Sequence, residues 1–325
     1  MRTVLVRHES WPLRSPFAVS PASRTAADVV LVEIREGAAV GRGECAPSPR
    51  SRESVAGVVA QIKRVSESVV HGAGREELGG LLPPGAARNA LDCALWDLEA
   101  KRTGTPVWRL AGLPEPTPVL TAFTIGLDTP ERMAAAAVDA ARHPLLKLKL
   151  GGEGDLERVA AVRAAVPEAR LIVDANEAWS ESELPELFPA MARYGVELVE
   201  QPLPADWDIA LDDIPHLVPV CADESCHTAA DLVTIADRYE VVKVTLDKAG
   251  GLTEGMALVA AARSRGLDVM IGSTLGTSLL TAPATLLTAE ARWVDLDGSL
   301  WMAQDRERGL RWDGRLHPPE AALWG

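Results

Sequence analysis

Cysteine is scarce in this chain: four residues, Cys45, Cys93, Cys221 and Cys226, among 325. That density excludes a disulfide scaffold, and no Cys-x-x-Cys pair is present to hold structural zinc. Reduced thiols in a cytoplasmic protein are the expectation. Histidine is almost as sparse, with six residues, none at metal-ligand spacing. His227 follows the turn Asp223-Glu224-Ser225 and reads first as a loop residue. Basic charge is also short. Lysine and arginine number 33 against 46 aspartates and glutamates, a net charge of −13, which opposes nucleic acid and an anionic membrane surface as partners. The start, MRTVLVRHESWPLRSPF, lacks the apolar core and small-residue cleavage site of an export signal. No segment approaches the ~18 uncharged apolar residues of a membrane span. Tyrosine and phenylalanine total two and three beside nine tryptophans, of which Trp96 is read as core.

What is present is enough apolar material, 47% of residues, for a large core, and a length of about two domains at roughly 150 residues each. Alternating, β-branched stretches at Thr3–His8, Val29–Arg35 and Val40–Cys45, with a turn at Glu36-Gly37, predict an antiparallel sheet. Helices follow over Ser54–Val69 and Gly85–Arg102. In the second, Ala86, Ala87, Ala90, Leu91, Ala94, Leu95 and Leu98 recur at three- and four-residue steps, and Gly104 supplies a stop. The segment Pro114-Glu115-Pro116-Thr117-Pro118 cannot continue a helix and marks a boundary.

Beyond it, eight short apolar runs alternate with helical stretches: Val119–Ile125, Leu145–Leu150, Leu171–Asp174, Val196–Glu200, Val218–Asp223, Val241–Leu246, Val269–Gly272 and Trp293–Leu296. That count favours a closed parallel barrel of the (β/α)8 type over a doubly wound sheet, for which no glycine-rich fingerprint is present. The Gly250-Gly251 pair is too weak to serve as one. The expected division is an α+β cap over 1–115, a barrel over 116–300, and a tail, 301–325, returning to the cap.

In such a barrel the C-terminal ends of the strands face the active site. Three successive runs end there in a carboxylate: Asp174, Glu200 and Asp223, each about one βα unit apart. Converging carboxylates repel, and an all-oxygen set suits Mg²⁺. Taken singly, each acid reads equally as a helix cap or a solvated group. One run earlier, Leu145-Leu146-Lys147-Leu148-Lys149-Leu150 puts two ammonium groups on one strand face. Burial and mutual repulsion there are expected to lower a lysine pKa toward that of a general base. A base beside a divalent cation points to abstraction of the proton α to a carboxylate.

These motifs carry a resemblance. Leu146-Lys147-Leu148-Lys149, Val173-Asp174-Ala175-Asn176, Glu200-Gln201-Pro202, Ala222-Asp223-Glu224-Ser225, Leu246-Asp247-Lys248-Ala249-Gly250-Gly251-Leu252 and Asp295-Leu296-Asp297-Gly298, with Gly43-Glu44-Cys45 and Ala86-Ala87-Arg88-Asn89-Ala90-Leu91-Asp92 before them, follow in order along nearly the whole chain. The sequence resembles the enolase superfamily, its muconate-cycloisomerase-like subgroup, and within it the dipeptide epimerases of the L-Ala-D/L-Glu type. The resemblance implies an α/β fold, a modified (β/α)7β TIM-like barrel under an α+β N-terminal capping domain. It also implies one Mg²⁺ on Asp174, Glu200 and Asp223, Lys149 as base with Lys147 beside it, and a dipeptide or other carboxylic acid as substrate. Asp295 and Asp297 would receive the dipeptide's α-ammonium, Arg24 in the Ser23-Arg24-Thr25 loop a distal carboxylate, and Thr124 would line the site. A homo-oligomer is compatible with all of this.

The sixth barrel strand departs from that pattern. Epimerisation by two bases needs a second lysine across the α-carbon, and the family places it where this chain has Thr245, in Lys243-Val244-Thr245-Leu246-Asp247-Lys248. Lys243 lies two residues back on the same face, about 6.6 Å lower at ~3.3 Å per residue, and its stem could reach up past Thr245. Alternatively Thr245 orders a water and Lys149 works alone, or the barrel binds its ligands and turns over poorly. Lys248 points away from Thr245 by strand alternation and reads as a structural residue. A dehydratase or cycloisomerase acting on a non-peptide acid, and a carboxylate-binding protein without turnover, are the competing readings.

Overall fold

The structure, a computed structural model, describes residues 2–19 and 22–325. Strands β1 (Arg2–Val19), β2 (Ala22–Glu36) and β3 (Ala39–Cys45) form an antiparallel sheet in that order. Gly37, at φ +62°, opens the two-residue turn from β2 to β3, where left-handed backbone favours glycine. The ribbon of β1 and β2 runs well past the segments expected from alternation, with a register shift between Pro12 and Phe17. Arg24, expected in a loop, therefore stands on β2, paired with Phe17. The added length is paired backbone to backbone and carries no apolar alternation to mark it.

Helix α1 (Val55–Val70) is capped by Ser54, whose side chain accepts from the Gly57 amide at 3.1 Å. After the short α2 (Arg75–Leu81) comes α3 (Ala86–Thr103), which ends at Gly104 in the left-handed region, φ +67°, and is followed by the single turn α4 (Val107–Leu110). Alanines bring α3 against β3: a Cβ on Gly41 would lie 2.1 Å from the Ala94 carbonyl oxygen, and one on Gly43 2.1 Å from that of Ala90. Val30, Val32 and Ile34 of β2 pack there with Ile62, Val65, Leu91 and Leu95 as the core of the cap.

The remaining strands are β4 (Phe123–Ile125), β5 (Leu145–Lys149), β6 (Arg170–Asp174), β7 (Val196–Glu200), β8 (Val220–Ala222), β9 (Val241–Thr245), β10 (Asp268–Gly272) and β11 (Trp293–Asp295), a parallel set in sequence order. The first and last meet where the Ala122 amide donates to the Val294 carbonyl at 2.7 Å. The connections carry α5 (Pro130–Asp139), α6 (Asp155–Ala165), α7 (Leu184–Arg193), a 3-10 segment at Ala205–Asp213, α8 (Leu232–Ile235), α9 (Leu246–Ala249) with α10 (Leu252–Ser264), and α11 (Ser278–Thr281). Only a short 3-10 turn, Gly298–Trp301, follows β11, so the barrel is of the expected (β/α)7β kind. Among the described residues no helix is long and apolar enough to cross a membrane.

Inward-facing positions fill the barrel in layers. Its floor is one apolar cluster with a residue from each strand or its approach: Ala122, Leu145, Ile172, Leu198, Cys221, Val241, Met270 and Trp293. Leu146, Leu148, Leu171 and Val173, one position off, point outward into the core beneath the helices. Two residues further along, six of the eight strands present a charged residue inward, Lys147, Asp174, Glu200, Asp223, Lys243 and Asp295, while Thr124 and Gly272 stand at the other two.

Candidate active site

The charged layer follows from strand register. Lys149 pairs with Asp174, Asp174 with Glu200 and Glu200 with Cys221, so Asp223 lies one inward step above the floor. Thr245 pairs with Gly272 and Gly272 with Asp295 on the opposite wall. The structure thus brings together Lys147, Lys149, Asp174, Glu200, Asp223, Lys243, Thr245 and Asp295.

Lys147, 1% exposed, sends its Nζ to Asp174 at 2.9 Å, Glu200 at 2.6 Å and Asp295 at 2.7 Å. Lys149 reaches Asp174 at 2.6 Å. Lys243 lies 2.8 Å from Glu200, 3.0 Å from Asp295 and 3.6 Å from Asp223. Its ammonium therefore stands in the layer of Thr245 and Asp295, as a stem reaching up the strand requires. Thr124 donates its amide to Asp297 at 2.7 Å, and Trp301 Nε1 donates to the same oxygen at 3.1 Å. Arg24 is exposed on the ribbon, outside this cluster. His227 lies in the loop after β8, its amide bonded to Asp231 at 2.9 Å.

The expectation of a depressed lysine pKa fails for Lys147 of the pair, and Lys243 is raised as well. Burial pushes Lys147 down, but Asp174, Asp295 and Glu200 together hold it well above its ordinary value. Lys243 is raised in the same way against its burial by Asp223, Glu200 and Asp295. The lysines sit among carboxylates, and attraction exceeds their mutual repulsion. The carboxylates divide accordingly. Asp174 and Asp223 lie well below the carboxylate range despite burial, because lysines face them. Glu200 is pushed up to about 8 by burial and by the charge of Asp174.

A further departure is Lys248. The backbone leaves strand geometry at Thr245 and enters α9, so alternation no longer applies. Lys248 Nζ bonds the carboxylate and carbonyl of Asp223 and lies 3.0 Å from the Cys226 carbonyl. Gln201 is a positioning residue the spacing did not reveal. Its Oε1 accepts from the amides of Asp223 at 2.9 Å and Ser225 at 3.1 Å, and its Nε2 donates to Ser225 Oγ at 2.8 Å and Tyr239 at 3.1 Å. Gln201 (φ +36°), Asn176 (φ +48°) and Glu177 (φ +66°) hold left-handed backbone just past Glu200 and Asp174, strain that side-chain and loop bonds retain at the strand ends. Glu224, raised to about 7 by burial and by Asp223, meets Arg50 of the cap at 2.5 Å.

The cap is seated where α3 meets the segment from Asp247 to Thr253. Asn89 Nδ2 donates to Asp247 at 2.7 Å, and Arg88 donates to the Ala249 carbonyl at 2.7 Å. Thr253 donates its amide and hydroxyl to Asp92 at 3.0 and 2.6 Å. A Cβ on Gly251 would sit 2.4 Å from Asp92 Oδ2, so the glycine pair is the contact surface for α3. From the tail, Arg306 bonds Glu44 and Glu9, joining β1, β3 and the loop after β10 through Thr277.

Among the described residues no three carboxylate, imidazole or thiolate groups are closed around a cation-sized point; the lysines lie between the acids. The donor set nonetheless fits a hard divalent cation. All three groups are carboxylates on neighbouring strand ends, and buried Glu200 Oε2 accepts no hydrogen bond despite its 2.6 Å approach to Lys147. The raised pKa of Glu200 likewise marks negative charge that a cation would relieve.

A capped barrel whose strand ends carry acids and lysines in one layer defines a class of proton-transfer proteins. Residues 131–321 match the family described as enolase C-terminal domain-like, and residues 1–112 the mandelate racemase / muconate lactonizing enzyme N-terminal domain. The chain belongs to this family, the enolase superfamily. It is 47% identical over 320 residues to the L-Ala-D/L-Glu epimerase of Escherichia coli (strain K12), covering 98% of this chain and 100% of that protein. A solved structure of an enolase family member from Agrobacterium tumefaciens, with homology to dipeptide epimerases and with bound sodium and L-Ala-L-Glu, is 45% identical at TM-score 0.98, each chain fully covered. The dipeptide epimerase of Enterococcus faecalis V583, complexed with Mg and L-Leu-L-Tyr, is 27% identical at TM-score 0.92 over 99% of this chain and 98% of that one.

Proposed function

We propose that the protein is a Mg²⁺-dependent isomerase that moves the proton α to a carboxylate, epimerising a dipeptide of the L-Ala-D/L-Glu kind. The observation that carries this reading is the layer in which Lys149 shares Asp174 with Lys147 while Glu200 and Asp223 complete an all-carboxylate set. Asp174, Glu200 and Asp223 would hold the cation. When bound, Mg²⁺ supplies a Lewis acid for the charge that develops on the substrate carboxylate. Lys149 takes the α-proton on one face, and Lys147 keeps the buried carboxylates neutralised beneath it. Asp295 and Asp297 receive the α-ammonium, Thr124 fixes Asp297, and Arg24 meets a distal carboxylate. Lys243, protonated and lifted to the layer of Thr245, delivers the proton on the opposite face.

The three carboxylates around Lys243 favour a second reading, in which it stays fixed and Thr245 with a water leaves Lys149 as the single base. Incubation of L-Ala-L-Glu with the protein and Mg²⁺ in D₂O, read by NMR and chiral analysis, separates them. Deuterium gain with inversion at the glutamate α-carbon supports two bases, and gain without inversion selects one. No gain with this or any dipeptide of a library removes the epimerase reading and leaves the dehydratase or binding-protein alternatives. In this reading residues 1–115 are the cap, 116–300 the barrel, and the tail belongs with the cap, supported by Arg42 bonding the carbonyls of Ala322 and Leu323 at 2.7 and 2.5 Å. The setting is cytoplasmic, supported by four free, buried cysteines.

A further inference from the structure

No barrel helix follows β11; the tail instead returns beside the approach to β4, where Leu316 and Val119 exchange backbone hydrogen bonds at 2.8 and 2.9 Å. Rings from the tail stack there on rings from the barrel. We infer that Trp301 is a positioning residue for the substrate's amino end: it orients Asp297, and is itself held by Phe123, His143 and Trp312 stacked in series behind it. This rests on the role given above to Asp297 and deepens that reading by adding residues that act through it.

Trp301 Nε1 and the Thr124 amide donate to one oxygen, Oδ2 of Asp297, at 3.1 and 2.7 Å. The two donors are not independent. Thr124 follows Phe123, and the Phe123 ring lies on Trp301 with centroids 5.6 Å apart and planes 12° from parallel. Contact between the rings therefore fixes the spacing of the two N–H groups. With Oδ2 held by both, the plane of the carboxylate is set, and with it the direction in which the group meets an ammonium. A carboxylate oriented in advance loses less freedom when the substrate binds.

The stack continues away from the site. Phe123 lies on His143 at 4.2 Å between centroids, and His143 on Trp312 at 4.3 Å, with planes 19° and 28° from parallel. His143 is 2% exposed and its Nε2 accepts from Arg142 Nε at 3.4 Å, so the ring is neutral and packs as an aromatic. The Arg142 guanidinium also covers the outermost ring, 5.3 Å from the Trp312 centroid. Trp301 packs as well with Leu13, Ala27 and Met302, where the ribbon of β1 and β2 meets the tail. A stack that served packing alone would need no donor at its inner end. This one ends in an indole N–H aimed at a buried carboxylate.

The test compares Trp301→Phe, which keeps the stacked ring and removes the N–H, with Trp312→Leu, which removes the outer ring, and Trp312→Phe, which keeps one. Dissociation constants for L-Ala-L-Glu with Mg²⁺ are measured by calorimetry, and KM and kcat by α-proton exchange in D₂O on the same preparations. Trp301→Phe is expected to raise the dissociation constant and KM about tenfold or more, the scale of one hydrogen bond to a charged group, with kcat within about threefold of wild type. Trp312→Leu is expected to raise KM about threefold or more, and Trp312→Phe to stay within about twofold of wild type. An unmoved KM and dissociation constant in Trp301→Phe, or a fall in kcat with KM unchanged, overturns the inference, and this variant decides it should Trp312→Leu not fold. Equal effects of Trp312→Leu and Trp312→Phe remove the stack from it. Binding by the wild type without exchange overturns the epimerase reading, while the dissociation constants still decide the role of Trp301. Failure of the wild type to bind the dipeptide overturns both.

Discussion

The floor of the barrel and the layer above it are built by the same strands, two residues apart, and differ in everything else. Leu145, Ile172, Leu198, Val241 and Met270 are buried apolar side chains, and each such burial contributes about 1.5–3 kcal/mol. Lys147, Asp174, Glu200, Lys243 and Asp295 are just as buried, between 0% and 5% exposed, yet each carries charge taken out of water. Attraction between close partners only roughly offsets that desolvation, so a set of this kind adds little to stability over well-packed apolar residues. The floor therefore holds the barrel, and the charged layer is retained for what it does to a substrate. The two layers should respond oppositely to substitution.

The largest effect belongs to the upper layer. Lys149→Met should lower α-proton exchange by about 10³-fold, within the range for loss of a general base, while the melting temperature stays within about 2 °C of wild type. NMR in D₂O and thermal unfolding on one preparation check both halves. Chelation of divalent cations should abolish the same exchange and restore it on addition of Mg²⁺. In Asp174→Asn, Mg²⁺ should no longer raise the melting temperature, a loss of about 2–3 kcal/mol of ligand stabilisation at Mg²⁺ near 100 times its Kd.

In the floor, Leu198→Ala should destabilise by about 2–5 kcal/mol, the cost of a core cavity, with turnover per folded molecule changed less than threefold. If instead it lost turnover and kept its stability, the distinction between layers would be gone. At the cap–barrel contact, Gly251→Ala places a methyl against Asp92 at φ +121° and should cost about 1–3 kcal/mol by denaturant unfolding.

The smallest effect concerns pH. Asp247, under the cap, is pushed up to about 7 by burial. A carboxyl whose folded pKa is raised binds its proton more tightly when folded, so its contribution is fully present below about pH 4 and is lost as pH rises through about 7. Asp247→Asn should therefore melt near the wild-type temperature at pH 5 and a few degrees above it at pH 8. A constant difference across that range would show that Asp247 does not titrate there.

Much of this was legible in the chain before folding. The acids Asp174, Glu200 and Asp223 stand one βα unit apart, and Lys147 and Lys149 share one face of a strand, because inward positions repeat every two residues. Gly104 announced a helix end through local backbone chemistry. The extra length of the ribbon carrying Arg24 was not legible, since backbone hydrogen bonds extend it without an apolar pattern. Nor was the contact of Lys248 with Asp223, because it depends on where the chain leaves strand geometry after Thr245.

By itself, then, the sequence determined the strand count, the apolar floor and the carboxylates above it, all consequences of local periodicity. Only the tertiary structure decided where long side chains end. Lys243 reaches Glu200 and Asp295 because Gly272, 29 residues away, leaves its stem a path, and Gly251 seats the cap because Asp92 lies against it. Those are contacts between residues remote in the chain, set by packing and by the pairing of buried charge, and no local pattern encodes them.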